Sequence, residues 1–305
     1  MAFTAKDVQA LREMTGVGMM DCKKALTASD GDMDKAVEFL REKGLAASQK
    51  KAGRIAAEGM AYAAVIDGVG VAVEVNAETD FVAKNEKFVD FVKGVAATVA
   101  VNKPADLDAL MACKYNGTEM TVTEQQQEMV LVIGENIKVR RFHFYTEGVS
   151  VPYNHAGGKI GVLVNLETNL SAEQVETVGK DVAMQIAALN PRFWDKSQVD
   201  QATLDEEKKI MMVQMANDPK MASKPEQVRE KIVMGKLNKF YEENCLLQQD
   251  FVKDGSVTVE QYVAQSAKSL GGTITFKDAV RFEKGEGIEK KQENFAEEIA
   301  KQLGK

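Results

Sequence analysis

The side chains that most often carry out catalysis are few in this 305-residue sequence, and they lie far apart. There are two histidines, His143 and His155, and three cysteines, Cys22, Cys113 and Cys245. No two cysteines have the CxxC spacing of a zinc or redox site, and neither histidine has a cysteine nearby in sequence. A lone histidine is more often structural than catalytic. We therefore expect no metal site, no cofactor site and no disulfide framework.

Sequence motifs for phosphate, dinucleotide, zinc-protease and acyl-transfer chemistry are also absent. The sequence has no GxxxxGK[ST] loop, no GxGxxG after a strand, no HExxH and no GxSxG. Its carboxylates lie mostly in charge runs such as 205–207 and 297–298, which is typical of solvated helix faces. We expect a protein that is not an enzyme, with an enzyme whose active site is dispersed in sequence as a more distant alternative.

Composition excludes further classes of protein. With 39 Lys and Arg against 46 Asp and Glu, the formal charge is -7, so the chain lacks the basic field that nucleic-acid binding draws on. No apolar run is long enough to cross a membrane, and the N-terminal residues form an amphipathic pattern where a signal peptide would be apolar. We expect an ordered cytoplasmic protein that binds neither nucleic acid nor membrane, in a bacterial cytoplasm because no transit segment is visible.

One segment concentrates polar and aromatic residues at the end of a Val-rich run. Its sequence is EVNAETDFVAK, residues 74–84. Thr79 or Asp80 is placed to cap a helix that begins near Val82, and Phe81 is placed to pack as a hydrophobic staple. From the residues alone, a capped helix start is the simplest interpretation of this segment.

Helical spacing predicts three helices in the first 44 residues. Thr4 and Asp7 form a capping-box pattern, after which Val8, Leu11 and Met14 recur on one face up to the glycines at 16 and 18. Two further helices are predicted over 19–28 and 33–43. The Ala- and Gly-rich, locally basic stretch that follows indicates a linker or a loosely attached helix, and we place a domain boundary there.

After Met60 the period of the pattern changes. Two Val- and Ala-rich runs flank Asp67-Gly68, as expected of a β-hairpin. Helices are predicted over 84–101, 105–115 and 122–133, and a strand over 137–146. The mixture of elements predicts an α+β layer arrangement.

The second half of the chain repeats parts of the first. GVLVNLETNL at 161–170 resembles GVAVEVNAETDF at 70–81 with two residues fewer, and AVRFEKGEG at 279–287 resembles VRRFHFYTEG at 139–148. A duplicated unit explains this pattern, although short Val-rich strands also look alike by chance.

A helical hairpin is predicted as an insertion in the second unit, from helices over 199–217 and 224–244 joined by Asp-Pro and Lys-Pro loop signals. Its methionines either pack the hairpin or form a docking surface. They are Met211, Met212, Met215, Met221 and Met234. A charged amphipathic helix is predicted from residue 288 to the end.

Two long segments resemble the signatures of the elongation factor Ts family of bacterial and organellar exchange factors. The first is LREMTGVGMMDCKKAL at 11–26, and the second is the 74–84 segment. Further similarity in IGENIKVRR, HAGGKIGVLV and RFEKGEGIEK extends the resemblance over nearly the whole chain.

The resemblance implies an α+β fold with an N-terminal three-helix module similar to ubiquitin-associated (UBA) domains and a core of two related α+β subdomains with antiparallel sheets. It also implies an inserted helical hairpin that mediates dimerisation and a C-terminal helical module. The implied boundaries are 1–44 for the UBA-like module, 45–58 for the linker, 59–148 for core subdomain N, 149–193 with 248–287 for core subdomain C, 194–247 for the hairpin and 288–305 for the C-terminal module.

The resemblance implies guanine-nucleotide exchange on elongation factor Tu. The exchange factor binds the GDP-bound form, disturbs its magnesium and phosphate site, releases GDP and leaves the nucleotide-free complex. Asp80 and Phe81 match the family's intruding pair, which Thr79 and Val82 hold in place. The other partner contacts that it implies are Arg12, Met19, Met20, Lys51, Ile133, Gly134, His155 and Val252.

Structural interpretations of these contact residues stay open at this point. Met19 and Met20 are equally compatible with the core of a small helical module, Arg12 and Lys51 with solvated charges, and His155 with the cap of a Gly-rich turn.

The sequence departs from the family pattern at two places, and a second function remains open. Ala77-Glu78 replaces a frequent Cys-Gln pair, and Asp250 replaces a frequent Pro. Both departures put local strand and loop geometry in question. The alternative function is a binding adaptor that uses the UBA-like module to capture a helical or ubiquitin-like ligand.

Overall fold

The computed structural model describes residues 3–289 and confirms the α+β class. The predicted C-terminal helix lies almost entirely outside the described residues. The helices are α1 (Ala5–Thr15), α2 (Met19–Ala28), α3 (Met33–Lys51), α4 (Asp80–Ala83), α5 (Glu86–Asn102), α6 (Leu107–Ala112), α7 (Val122–Ile133), α8 (Ala172–Leu189), α9 (Gln201–Asn217), α10 (Pro219–Ala222), α11 (Glu226–Asn244) and α12 (Val259–Ser269). The strands are β1 (Glu58–Ile66), β2 (Val69–Ala77), β3 (Lys138–Tyr145), β4 (Val149–His155), β5 (Ile160–Thr168), β6 (Asp250–Phe251), β7 (Asp254–Thr258) and β8 (Ile274–Glu283).

The first three helices enclose a small core of their own. Thr4 and Asp7 form the predicted capping box, and α1 ends at Gly16 in the left-handed conformation. The core consists mainly of Val8, Leu11, Val17, Cys22, Ala25, Leu26, Ala36 and Leu40. Met14, which we predicted on the inner face, is 62% exposed. It lies in the last turn of α1 and lines an open pocket together with residues of α3 and α7.

Helix α3 continues well past its predicted end, through the first part of the predicted linker. It packs along α7, and a Cβ atom at Gly44 would lie only 3.2 Å from the carbonyl oxygen of Gln127. Gly44 therefore permits close approach of two helices instead of ending one. The contact also joins the N-terminal helices to the rest of the chain.

The first sheet has the strand order β1-β2-β3 and is antiparallel throughout. The predicted hairpin is present, with Asp67 and Gly68 both at positive φ (49° and 79°), as a two-residue type I′ turn requires. Every residue of β2 is buried. One face of the sheet packs on α5, through the predicted residues Phe88, Phe91, Val92 and Val95.

The second sheet has the order β4-β5-β8 and the same connections. In each sheet a hairpin is followed by helices and then by a third strand that pairs with the second. Each central strand also carries a bulge at a matching position, between Glu74 and Val75 in β2 and between Asn165 and Leu166 in β5. This shared topology supports the duplication that the sequence suggested.

The two sheets contact each other through small side chains. Ala61, Ala63 and Ala72 pack against Leu163 and Phe282. The Asn154 side chain bonds both backbone groups of Ala63, at 2.8 Å each, and so substitutes for a neighbouring strand. The sheets are therefore close enough for direct hydrogen bonding at this edge.

The predicted helical hairpin consists of α9 and α11, joined through the short helix α10. At the base of the hairpin, a small core contains Val199, Phe240 and Cys245. Met215 is buried whereas Met234 is 61% exposed, so the methionines serve both as packing and as exposed surface. Within residues 3–289, no helix combines the length and the apolarity needed to span a membrane.

Candidate functional site

The end of β2 leads into a single helical turn that presents an aromatic ring to solvent. Thr79 is the N-cap of α4, and its Oγ1 accepts a hydrogen bond from the backbone N–H of Val82 at 3.4 Å. Val82 and Ala83 point inward and are buried. Phe81 is 81% exposed. We call residues 79–82 the tip.

The structure contradicts the interpretation of Phe81 as a packed hydrophobic staple. The expected single helix is split into α4 and α5, and Asn85 caps α5 separately through its bond to the N–H of Lys87. Because Val82 and Ala83 occupy the inner side of the one-turn helix, the neighbouring ring of Phe81 faces outward. An exposed aromatic side chain that the fold holds in place is typical of a binding surface.

Glu135 fixes the base of the tip. Its Oε2 accepts the backbone N–H groups of Glu78 (3.1 Å) and Thr79 (3.0 Å), and its Oε1 accepts the Thr79 hydroxyl at 2.7 Å. Hydrogen bonds to a charged acceptor are stronger than neutral ones. The carboxylate therefore ties the end of β2 to the loop that follows α7.

Glu78 makes the reverse connection. Its carboxylate accepts the backbone N–H of Asn136 at 2.6 Å and an Arg54 guanidinium N–H at 3.4 Å. The Asn136 side chain in turn donates to the Arg54 carbonyl at 2.8 Å. Glu78, one of the departures from the family pattern, thus joins three segments of backbone behind the tip.

Asp80 is the charged member of the tip. Its carboxylate forms an exposed ion pair with Lys84 at 3.1 Å, one helical turn away. Such a pair contributes little to stability because water screens both charges. The tip therefore presents one aromatic ring and one readily available carboxylate.

Three of the other predicted contact residues lie near the base of the tip. Gly134 ends α7 at φ 87° and directly precedes Glu135, and Ile133 packs partly on the first core. The Lys51 Nζ lies 4.0 Å from the position that a Cβ atom at Gly134 would take. Burial lowers the pKa of Lys51, as does the charge of Arg54, whereas Glu78 and Glu135 oppose that shift. The structure brings these residues together with Thr79.

The predicted contacts in the N-terminal helices form a separate group. Arg12 lies exposed on α1. Met19 and Met20 begin α2 and are 42% and 64% exposed, so the interpretation as core residues is wrong for both. Cys22, Ala25 and Leu26 fill the inner face of α2 instead.

The last two predicted contacts lie in the second half of the chain. His155 ends β4, and its backbone carbonyl accepts the N–H groups of Gly158 (3.1 Å) and Lys159 (3.0 Å) across the glycine turn. Its ring Nδ1 shares a hydrogen bond with the Tyr153 hydroxyl at 3.0 Å. Val252 lies in the turn after β6, is 48% exposed, and donates its N–H to the Gln185 side chain at 2.8 Å. Both lie on elements different from those that carry the tip.

A buried carboxylate in β2, which sequence analysis did not single out, supports the strand behind the tip. Glu74 is fully buried at the bulge and accepts from Arg140 (2.9 Å), Arg141 (2.5 Å) and the Gly285 N–H (2.8 Å). Burial acts to raise the pKa of Glu74, but these hydrogen bonds and charges outweigh it and hold that pKa below its ordinary value. The available signal was a charged residue within an otherwise Val-rich strand.

Glu135 was also missed, because an acidic residue after a C-cap glycine is common in exposed loops. Within residues 3–289, no three His, Cys, Asp or Glu side chains are grouped to hold a metal ion. His143 is enclosed in β3, where burial lowers its pKa against the opposing charge of Asp278.

Comparison with known proteins identifies the family. The family model described as "Elongation factor TS" matches residues 78–286, more than half of the chain. A curated elongation factor Ts from Clostridium kluyveri is 48% identical over 305 residues, covering 98% of both chains. Another from Clostridium perfringens strain SM101 is 50% identical over 306 residues, covering 99% of both. Similarity of this extent and degree shows that the chain belongs to the elongation factor Ts family.

Proposed function

We propose that this protein is a guanine-nucleotide exchange factor for elongation factor Tu. It binds the GDP-bound form in the cytoplasm, promotes GDP release during translation elongation, and forms a complex with the nucleotide-free form. The observation that carries this proposal is the tip, where an 81%-exposed Phe81 lies on a one-turn helix that Thr79 caps at the end of β2, in a member of this family.

Exchange of this kind requires binding and no catalytic side chain. Magnesium and backbone N–H groups around the phosphates hold GDP in its GTPase. A partner that binds the nucleotide-free GTPase more tightly than the GDP-bound form must weaken the binding of nucleotide. Bound nucleotide weakens the binding of the partner by the same factor. The chain therefore acts by partner binding and is not an enzyme in the usual sense.

In this proposal Phe81 and Asp80 disturb the magnesium-binding region of the GTPase. Phe81 supplies apolar area, and burying a Phe side chain contributes about 2–3 kcal/mol to binding. Asp80 brings a negative charge beside ligands that are arranged for a cation. Thr79 and Val82 hold both side chains in position from behind.

The remaining contacts dock the exchange factor on its partner. We assign Arg12, Met19 and Met20 to one docking surface, Lys51, Ile133 and Gly134 to a second, and His155 and Val252 to the core. The exposure of Met19, Met20 and Val252 supports these roles. We retain the domain boundaries given above, except that the N-terminal module continues to the end of α3 at Lys51. The docking of the C-terminal module on the GTPase and a homodimer through the α9–α11 hairpin are also parts of the proposal.

A release assay tests the proposal. Elongation factor Tu loaded with fluorescent GDP is mixed with excess unlabelled GDP and sub-stoichiometric amounts of this protein. We expect release to accelerate in proportion to the amount added, because each molecule acts repeatedly. No acceleration would exclude the exchange function, and recovery of helical peptides but no GTPase in a pull-down would favour the adaptor.

A further inference from the structure

One carboxylate, that of Glu135, accepts several hydrogen bonds from the residues at the start of the tip. Glu135 accepts the N–H of Glu78 and of Thr79 with one oxygen and the Thr79 hydroxyl with the other. We propose that Glu135 is a positioning residue for nucleotide exchange, which holds Phe81 in the outward orientation that the partner receives. This inference rests on the proposed exchange function.

The Thr79 hydroxyl transmits the effect of Glu135 to the helix. It donates its single proton to Glu135 Oε1 at 2.7 Å and so keeps a lone pair for the N–H of Val82 at 3.4 Å. A hydroxyl has only one proton to donate. Glu135 therefore selects the hydroxyl orientation that caps α4, and the direction of the Phe81 ring depends on that cap.

The connection is reciprocal, so hydrogen bonds link the two loops in both directions. Glu135 accepts the backbone N–H of Glu78, and Glu78 accepts the backbone N–H of Asn136. The left-handed turn at Gly134 allows the chain to bring Glu135 to the end of β2. Because Lys51 lies beside Gly134, a partner that contacts this surface would contact the same loop that positions Phe81.

The test uses Glu135→Gln in the full chain. The amide keeps the size of the side chain but replaces one acceptor oxygen by an NH₂ group that faces N–H donors. We expect the maximal rate of GDP release at saturation to fall about tenfold, and the half-saturating concentration to change less than about threefold, since docking surfaces elsewhere are retained.

Glu124→Gln serves as the matched control, and two substitutions of Thr79 test the role of its hydroxyl. Glu124→Gln alters another carboxylate that accepts a backbone N–H and a hydroxyl, those of Thr121 at the opposite end of α7, and should leave release unchanged. Thr79→Ser keeps the hydroxyl and should retain most of the activity, whereas Thr79→Val loses the hydroxyl and should resemble Glu135→Gln.

A second readout is independent of the GTPase. Amide hydrogen exchange at Glu78 and Thr79, measured by NMR on the free protein, should be about tenfold faster in Glu135→Gln because the local opening becomes less costly. Unchanged amide exchange, or a wild-type maximal release rate in this variant, would overturn the positioning role alone. A wild-type protein that fails to accelerate release would instead remove the proposed function, and this inference with it.

Discussion

The two sheets end their central strands in opposite ways. In the first sheet the sequence Glu78-Thr79-Asp80-Phe81 follows β2, and in the second the similar sequence 167–170, Glu-Thr-Asn-Leu, ends β5 and leads to α8. Phe81 is exposed, whereas Leu170 packs on the second core. Related strand-to-helix units thus yield one end that presents its apolar residue and one that encloses it.

The end of β5 is hydrogen-bonded to the residue that directly precedes β8 in the same sheet. The Thr168 hydroxyl donates to the Thr273 carbonyl at 2.6 Å, and the Asn169 side chain accepts the Thr273 N–H at 2.8 Å. Leu170 then lies against Gly272, where a Cβ atom would be only 2.5 Å from the leucine side chain. These bonds close the loop over Leu170.

The difference has two structural causes. The first unit has two more residues between the bulge and the Glu-Thr pair, so Glu78 and Thr79 lie beyond the end of β2, whereas Glu167 and Thr168 lie within β5 and pair with β8. Its Thr79 bonds to Glu135 in a loop behind the tip, whereas Thr168 bonds to a loop beside Leu170. The exposure of Phe81 is therefore explained by the chain length and the hydrogen bonds at the end of β2. The following substitutions test this explanation.

The largest expected effect is on stability, at the bulge that precedes the tip. Glu74→Ala leaves Arg140 and Arg141 without their buried partner, so we expect the free energy of unfolding in urea to fall by about 3–5 kcal/mol. The matched substitution Asn165→Ala, at the other bulge, should cost less than about 1 kcal/mol, because Asn165 is neutral and its buried Oδ1 has no hydrogen-bond partner within residues 3–289. Equal losses would show that the two bulges are stabilised alike.

The stabilisation by Glu74 should depend on pH. Its pKa in the folded protein lies below the ordinary value of 4.5, so the contribution is complete above that value. It is lost as the pH falls through the lower, folded pKa. Urea midpoints measured from pH 7 to pH 3 should therefore converge for the wild type and Glu74→Gln. A difference that widens with acid would contradict this sign.

The next largest effect is on exchange. Phe81→Ala should slow stimulated GDP release about 100-fold, or ~2.7 kcal/mol, as expected for an aromatic residue central to an interface. Because Phe81 is exposed in the free protein, the urea midpoint should not change. A large loss of stability in Phe81→Ala together with a normal exchange rate would contradict a binding role for the end of β2.

Leu170→Ala is the converse substitution. We expect it to lower the free energy of unfolding by about 2 kcal/mol, since it removes a partly buried side chain from the second core. Stimulated GDP release should match the wild type when both proteins are assayed at equal amounts of folded protein, as determined by circular dichroism. Slower release from fully folded protein would place this end in the partner interface as well.

Sequence patterns anticipated most of the fold, because the periodicity of apolar residues follows from burial. The capping box at Thr4, the hairpin turn at Asp67-Gly68 and both long hairpin helices were predicted. The end of α3 was not predicted, since Gly44 looks like a helix terminator until its contact with α7 is known.

The candidate site was less predictable from the residues. Thr79 as a cap followed from its position, but its hydrogen bond to Glu135, which is 56 residues away from Thr79 in sequence, did not. Long-range hydrogen bonds of this kind leave no periodic signal. The tip was identified through resemblance to the family, and its geometry only through the structure.

The smallest expected effect concerns the charge of the tip. Asp80→Asn removes an exposed ion pair with Lys84, so stability should change by less than about 0.5 kcal/mol. Stimulated release should fall about fivefold, or ~1 kcal/mol, because the proposed mechanism assigns this carboxylate to the disturbance of the magnesium-binding region. A release rate equal to the wild type would leave Phe81 as the only active side chain of the tip.

The most direct measurement is hydrogen–deuterium exchange of the free protein and of its complex with nucleotide-free elongation factor Tu. It compares peptides that cover 78–84 with peptides that cover 167–172. We predict strong protection on complex formation in 78–84 and none in 167–172, because only the first end is presented to a partner. Equal protection of both segments, or no protection of 78–84, would contradict the role of the Phe81 tip.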